Sequence, residues 1–130
     1  MTGELWDTEN SPEYGDEVNF VESGFKSGWS KIQGVWENEE EKMGKLSSGD
    51  SKNLVDFGGR GNYSVPELTC AYLAGLTAIK FLDSNELGKE YENDLFAGDV
   101  HRGNLYHFEL YEDRSELSFK DESLKRWHSR

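Results

Sequence analysis

Residues 77–119 constrain the fold most strongly, because short apolar segments follow one another there with only tight polar links between them. The third segment, residues 104–111, alternates with the two-residue period of a β-strand, and one of its faces carries Tyr106, Phe108 and Leu110. A glycine in the link before it favours a tight hairpin turn. Short links imply neighbouring antiparallel strands, so the stretch predicts an up-and-down sheet of about four strands, the size of one β-propeller blade.

A single blade cannot bury both of its faces, so this sheet requires neighbouring layers. We therefore expect an all-β fold, a partial β-propeller of about two blades of antiparallel four-stranded sheet with an irregular charged insert. The expected divisions are a partial blade at 1–36, a charged and Gly/Ser-rich insert or loop at 37–65, a complete blade at 66–120 and a tail at 121–130. The open strand edges of such a partial ring favour self-association.

Composition limits the classes of partner. The formal net charge is −12, from 26 acidic and 14 basic residues, which disfavours nucleic acid and anionic membrane surfaces. The charge is compatible with divalent cations or with solubility alone. The single cysteine, Cys70, excludes an internal disulfide and a CxxC metal site. No apolar run reaches transmembrane length and the N-terminus lacks a signal-peptide pattern, so the sequence as written predicts a cytoplasmic chain.

The acidic segment 9–19 is the most site-like part of the chain. Hard cations bind carboxylate oxygens together with carbonyls freed by irregular backbone. Asp16 and Glu17 lie beside a predicted turn, and Pro12 keeps the preceding backbone out of a strand ladder. A calcium loop and an ordinary acidic turn both fit this pattern. The histidines are scattered and no serine or cysteine has the context of an activated nucleophile, so the residues alone predict no catalytic centre.

A series of short motifs resembles one known family. Residues 5–12 read Leu-Trp-Asp-Thr-Glu-Asn-Ser-Pro, residues 16–19 read Asp-Glu-Val-Asn, and Gly28 and Trp29 follow; residues 91–99 read Tyr-Glu-Asn-Asp-Leu-Phe-Ala-Gly-Asp. The series is similar to the motifs of the glucose/sorbosone dehydrogenases, which bind pyrroloquinoline quinone (PQQ). Their pattern runs L-W-x-x-E-[HQN]-G-P, then D-E-[IV]-N and N-Y-G-W. The resemblance covers most of the chain except the insert at 37–52 and the tail.

The resemblance implies a role for several residues. The family is a six-bladed propeller that oxidises aldose sugars at the C1 hydroxyl, with PQQ and calcium in the central opening. The residues implied to face PQQ belong to one loop and one hairpin tip: Asn10, Ser11, Pro12, His101 and Arg102. The residues implied to bind calcium are Ser11 and Pro12 through their backbone carbonyls and, in a second site, Glu17 with a backbone oxygen near Ser27.

The chain departs from the family pattern at a few positions. Ser11 replaces a glycine, Lys26 and Ser27 replace Asn-Tyr, and Leu76 replaces a proline. The catalytic histidine of the family belongs to a blade outside this sequence. We therefore expect a fragment of a PQQ- and calcium-dependent sugar dehydrogenase that is inactive alone. The alternatives are a non-catalytic, propeller-derived binding or assembly module and a calcium-binding surface protein. Family members act in the periplasm or outside the cell.

Overall fold

The computed structural model of the chain describes residues 3–12, 15–29, 32, 34, 58–70 and 72–118. The described residues form short β-strands and one turn of 3₁₀ helix at Lys89–Tyr91. The strands are β1 (Trp6–Glu9), β2 (Glu17–Phe20), β3 (Phe25–Lys26), β4 (Asn62–Tyr63), β5 (Leu68–Thr69), β6 (Leu76–Phe81), β7 (Leu95–Asp99), β8 (Leu105–Leu110) and β9 (Leu117–Ser118). Within the described part of the chain, no helix has the length and apolar character that crossing a bilayer requires.

The predicted four-stranded antiparallel sheet is confirmed, with strand order β6-β7-β8-β9. Its inner face follows the alternation of β7, in which Leu95, Ala97 and Asp99 are buried. A register shift between Thr77 and Ile79 interrupts the pairing of β6 with β7, because Ala78 adopts a left-handed conformation with φ 48°. This bulge lets Leu76 and Ile79, three residues apart, face the same side.

A second sheet has the order β1-β2-β5 and carries two chemically different faces. The register pairs Trp6 with Phe20 and Val18 with Leu68, and these apolar side chains form one face. The opposite face is polar and comprises Asp7, Glu9, Glu17, Asn19 and Thr69, as the pairs across the strands show. Because side chains alternate along each strand, the apolar face packs on the core and the acidic residues lie on the opposite face.

The core lies between the two sheets. Its buried members are Trp6, Val18, Cys70, Ala74, Leu76, Leu95 and Leu117. β1 packs against β6, and the indole N–H of Trp6 donates a hydrogen bond of 3.3 Å to the carbonyl of Arg114 beside β9. The apolar face of the first sheet thereby covers the inner face of the second, which is the neighbouring layer that the isolated blade requires.

Two glycine-containing segments form a further pair of short strands. The glycine-punctuated loop at 24–28 includes β3, and the glycine-rich loop at 58–63 includes β4, which pairs with β3 in parallel. Gly24 permits this pairing, since its φ is +87° and a Cβ there would lie 2.8 Å from the carbonyl oxygen of Arg60. Residues 37–57 of the predicted insert and the tail at 121–130 lie outside the described residues.

Candidate functional site

The buried carboxylate of Asp16 fixes the loop that contains Asn10, Ser11 and Pro12. One carboxylate oxygen accepts the backbone N–H of Ser11 at 2.8 Å, and the Ser11 hydroxyl donates to the carbonyl of Gly15 at 3.2 Å. Ser11 is buried, whereas Asn10 and Pro12 on either side of it are exposed. The loop therefore turns its central residue inward and displays its neighbours.

The same carboxylate holds a second segment. The other oxygen of Asp16 accepts the backbone N–H groups of Ala74 at 2.8 Å and Gly75 at 2.5 Å. Asp16 itself is fully buried. A buried carboxylate that accepts several backbone N–H groups satisfies its hydrogen-bonding capacity without a cation. Asp16 thus connects the loop at 10–12 to the strand entrance at 74–75, about 60 residues further along the chain.

The hairpin tip between β7 and β8 is attached to that strand entrance. The N–H groups of Val100 and His101 donate to the carbonyls of Gly75 and Ala74, at 3.2 and 3.3 Å. Gly75 has φ +67°, and a Cβ there would lie 2.6 Å from Cδ2 of His101. The His101 ring therefore packs directly on the Gly75 backbone, a contact that only glycine permits.

Asp99 sets the conformation of this hairpin tip. Its Oδ1 accepts the backbone N–H groups of His101 and Arg102, both at 2.8 Å. Its Oδ2 accepts the hydroxyl of Tyr106 at 2.9 Å and the amide of Asn104 at 3.3 Å. Partial burial opposes ionisation, but the hydrogen bonds from Arg102, Tyr106, His101 and Asn104 outweigh it and lower the pKa of Asp99. The carboxylate stays ionised and organises the turn.

Arg102 is displayed on an aromatic ring beside this turn. Its guanidinium carbon lies 3.7 Å from the ring centroid of Tyr72. The Tyr72 hydroxyl is 2.8 Å from the hydroxyl of Tyr106. The exposed tip thus presents one permanent cation and one imidazole.

Glu17 lies on the polar face of the first sheet and is also buried. Its Oε1 accepts the N–H of Gly34 at 2.8 Å, and its Oε2 accepts the amide of Asn19 at 3.3 Å. Burial, with the neighbouring charge of Glu9, raises the pKa of Glu17 to about 8. The side-chain oxygens of Asn19 and of Thr69, which pairs with Glu17 across the strands, are buried and have no hydrogen-bond partner among the described residues. In the described part of the chain, this carboxyl group therefore lies beside further side-chain oxygens.

Ser27 follows β3 and is buried. Its hydroxyl accepts the N–H of Trp29 at 3.4 Å, whereas Glu17 accepts hydrogen bonds from Gly34 and Asn19. Cys70 lies in the core, where burial, with the charges of Asp16 and Asp99, raises its pKa to about 11, so the thiol stays protonated and inert. Among the described residues, no group of three or more His, Cys, Asp and Glu side chains is arranged to hold a metal.

The structure brings together two of the sets that the sequence analysis assigned. The loop at 10–12 and the tip at 101–102 both attach to residues 74–75, while Glu17 and Ser27 occupy other positions. The residues that organise the tip were missed: Tyr72, Asp99, Asn104 and Tyr106. An aspartate followed by a His-Arg-Gly turn is a sequence signal for Asp99, since Asp commonly accepts backbone N–H groups two and three residues ahead. Tyr72 has no comparable local signal.

The described residues define an all-β protein with two antiparallel sheets and one short parallel pair, and with loops gathered at the start of β6 and the end of β7. A family profile described as Glucose / Sorbosone dehydrogenase matches residues 1–130. The chain belongs to the glucose/sorbosone dehydrogenase family, which confirms the resemblance seen in the motifs.

Two solved structures have a similar fold. One is titled crystal structure of glucose dehydrogenase, with 20% identity and a TM-score of 0.60, and the match covers 90% of this chain and 30% of that chain. The other is the soluble aldose sugar dehydrogenase of Escherichia coli in the apo-form, with 18% identity and a TM-score of 0.59, over 88% of this chain and 30% of that chain. This chain thus spans about 30% of the length of either structure. A search of curated proteins found no significant match.

Proposed function

We propose that this chain supplies the cofactor-facing loops of a PQQ- and calcium-dependent dehydrogenase that oxidises aldose sugars at C1. The observation that carries the proposal is the attachment of both assigned loops to residues 74–75 through Asp16 and the hairpin tip. A planar, carboxylate-bearing quinone needs cations for its acid groups and oxygen donors for an associated calcium ion. The loop and the tip bring these two kinds of donor to one edge of the fold.

The loop at 10–12 suits calcium through its backbone. The Ser11 N–H and hydroxyl are both directed into the loop, to Asp16 and Gly15. The calcium ligands that we assign here are accordingly the backbone carbonyls of Ser11 and Pro12, with Asn10 facing the cofactor. Asp16 supports this assignment indirectly, because it satisfies its own charge with backbone N–H groups and holds the loop bent.

The surroundings of Glu17 suit a second calcium ion. Burial raises the pKa of Glu17, and the side-chain oxygens of Asn19 and Thr69 have no hydrogen-bond partner within the part of the chain that the structure describes; a hard cation would take such oxygens as ligands. Ser27, assigned to the same site through a backbone oxygen, belongs to a different segment after β3. We propose Glu17 as the charged ligand of this site and Ser27 as a backbone ligand.

His101 and Arg102 are the cofactor-facing groups of the tip. The guanidinium fork matches a carboxylate in two parallel hydrogen bonds, and the imidazole can donate one more. When bound, PQQ supplies the chemistry of accepting the electrons removed from the sugar C1 hydroxyl. The residues of this chain bind and orient; we assign no catalytic residue here and place the general base outside the chain.

The test is a titration of the purified chain with PQQ, followed by quenching of tryptophan fluorescence, with calcium or with a chelator present. We expect saturable, calcium-dependent binding that Arg102→Ala weakens by about tenfold, the value of one charge-assisted hydrogen bond. Lys80→Ala is the matched control, because Lys80 is an exposed cation on β6 whose loss changes the net charge equally. Absence of saturable binding rejects the proposal for this chain.

A separate measurement addresses activity. Dye-linked glucose oxidation by the chain with PQQ and calcium should stay at the level of free PQQ, because no base is assigned within it. Oxidation above that level would show that the chain contains its own base.

A second candidate function is a non-catalytic binding or assembly module. The exposed Leu105 and Val100 at the β7–β8 hairpin, 70% and 65% exposed, favour it, since large apolar side chains at a sheet end suit a protein contact. A calcium titration with neither heat nor a change in melting temperature would support this function over the cofactor-binding one.

A further inference from the structure

The hairpin tip is controlled by residues that the proposed cofactor contacts do not include. We define the Asp99 network as Tyr72, Asp99, Asn104 and Tyr106, which are joined by hydrogen bonds of 2.8–3.4 Å. We propose that the Asp99 network positions the Arg102 guanidinium for a carboxylate of the bound cofactor. This inference rests on the proposed function and adds to it the residues that set the affinity.

The first step of the argument is the direction of the hydrogen bonds. Tyr106 donates its proton to Asp99 at 2.9 Å, so its oxygen is left as an acceptor. The Tyr72 hydroxyl, 2.8 Å away, is therefore the donor of the pair. In the series of hydrogen bonds from Tyr72 to Tyr106 to Asp99, each hydroxyl proton points toward the carboxylate. Asp99 is therefore oriented by a single arrangement of donors.

The second step is the effect on the turn. The oxygen of Asp99 opposite Tyr106 accepts the N–H groups of His101 and Arg102. A carboxylate that could rotate would exchange these bonds, and the turn would lose its fixed backbone. Tyr106 prevents the rotation because its hydroxyl holds Oδ2, and it lies in the part of β8 that is paired with β7, residues 105–108.

The third step is the side chain of Arg102. The guanidinium carbon of Arg102 lies over the Tyr72 ring, 3.7 Å from its centroid, so the ring holds the cation by a cation–π contact. An exposed arginine otherwise loses considerable rotamer entropy when it binds a ligand, and this contact removes part of that loss beforehand. Tyr72 thus acts twice, through its ring on Arg102 and through its hydroxyl on Tyr106.

Tyr106→Phe and Tyr72→Phe test the network because they remove only a hydroxyl and keep the ring. In the PQQ titration with calcium, each should weaken binding by about three- to tenfold, in the range of a hydrogen bond that acts on a charged group. Tyr72→Leu removes the ring as well and should weaken binding further. Tyr111→Phe is the matched control, because Tyr111 is exposed and lies at the other end of β8.

A double-mutant cycle with Arg102→Ala separates positioning from general stability. If the network acts through Arg102, then Tyr106→Phe has no further effect on PQQ affinity in the Arg102→Ala background. Amide hydrogen exchange of His101 and Arg102 should be faster in Tyr106→Phe and unchanged in Tyr111→Phe, while the melting temperatures of the two variants stay close.

The outcomes distinguish the two proposals. If the unmodified chain binds no PQQ, the proposed function fails and this inference fails with it. If the chain binds PQQ but Tyr106→Phe binds equally well, or if its effect remains complete without Arg102, the inference alone is overturned.

Discussion

The buried carboxyl group of Glu17 gives the sharpest prediction about stability. Its folded-state pKa of about 8, against an ordinary value of 4.5, means that the folded chain binds this proton more tightly than the unfolded chain does. The stability that Glu17 contributes is therefore fully present below about pH 4.5 and is lost as the pH rises to about 8. At 1.36 kcal/mol per pH unit, the full difference is about 5 kcal/mol.

Glu17→Gln removes this dependence with little change in shape. The glutamine oxygen can still accept the N–H of Gly34. If the Asn19 amide turns over, the glutamine amide can donate to the side-chain oxygen of Asn19, which has no hydrogen-bond partner among the described residues. Local relaxation reduces the full difference, so we expect Glu17→Gln to gain about 2–5 kcal/mol over the native chain between about pH 5 and about pH 9. Glu67, whose pKa burial raises to about 7, is present in both proteins and cancels.

The measurement is urea unfolding followed by tryptophan fluorescence, with a chelator present, at about pH 5, 7 and 9. Glu86→Gln is the control, since Glu86 is exposed and its replacement should leave the pH profile unchanged. Parallel profiles for the native chain and Glu17→Gln would refute the reasoning, because they would mean that Glu17 ionises equally in both states. Under the proposed function, calcium at about pH 8 should raise the melting temperature of the native chain more than that of Glu17→Gln, which keeps only the calcium site at residues 11–12.

Two further substitutions probe the loops around the candidate site. Gly75→Ala should lower the free energy of unfolding by about 2–3 kcal/mol, because the new Cβ would lie 2.6 Å from the His101 ring. Gly58→Ala is the control: its φ of +65° is similar but no atom lies within contact of the new Cβ, so it should lose only about 1 kcal/mol. Equal losses in urea unfolding would contradict the role of the His101 contact. Asp16→Asn should lower stability by about 2–3 kcal/mol, because one carboxylate oxygen becomes an N–H donor that faces backbone N–H groups; an unchanged urea midpoint would contradict it.

The four-stranded sheet could be predicted because its evidence is local. Alternation within residues 105–110 and short links between strands determine both the strands and their order. The bulge at Ala78 could not be predicted, because alanine has no intrinsic preference for positive φ. The parallel pair β3–β4 could not be predicted either, because strands of two residues in distant loops show no periodicity in the sequence.

The site could be predicted as separate pieces and not as an assembly. The motifs identified residues 10–12 and 101–102, but the atoms that join them are the carboxylate of Asp16 and the backbone of Gly75, 59 residues apart. No pattern in the local sequence around Gly75 predicts that its backbone N–H donates to a carboxylate. Likewise, the hydrogen bond between Tyr72 and Tyr106 depends on where the loop before β6 lies relative to β8, and tertiary structure determines this rather than local sequence.

The acidic residues of this chain serve different physical purposes, and the net charge alone does not distinguish them. Asp16 and Asp99 are acceptors for backbone N–H groups and build loops without any cation. Glu17 differs, because it is buried beside another carboxyl group and next to side-chain oxygens that have no hydrogen-bond partner in the described ranges. A cation would be stabilised where acceptors are in excess, and would gain little where backbone donors already satisfy them. Calcium should therefore distinguish Glu17 from Asp16, although the two are adjacent in sequence.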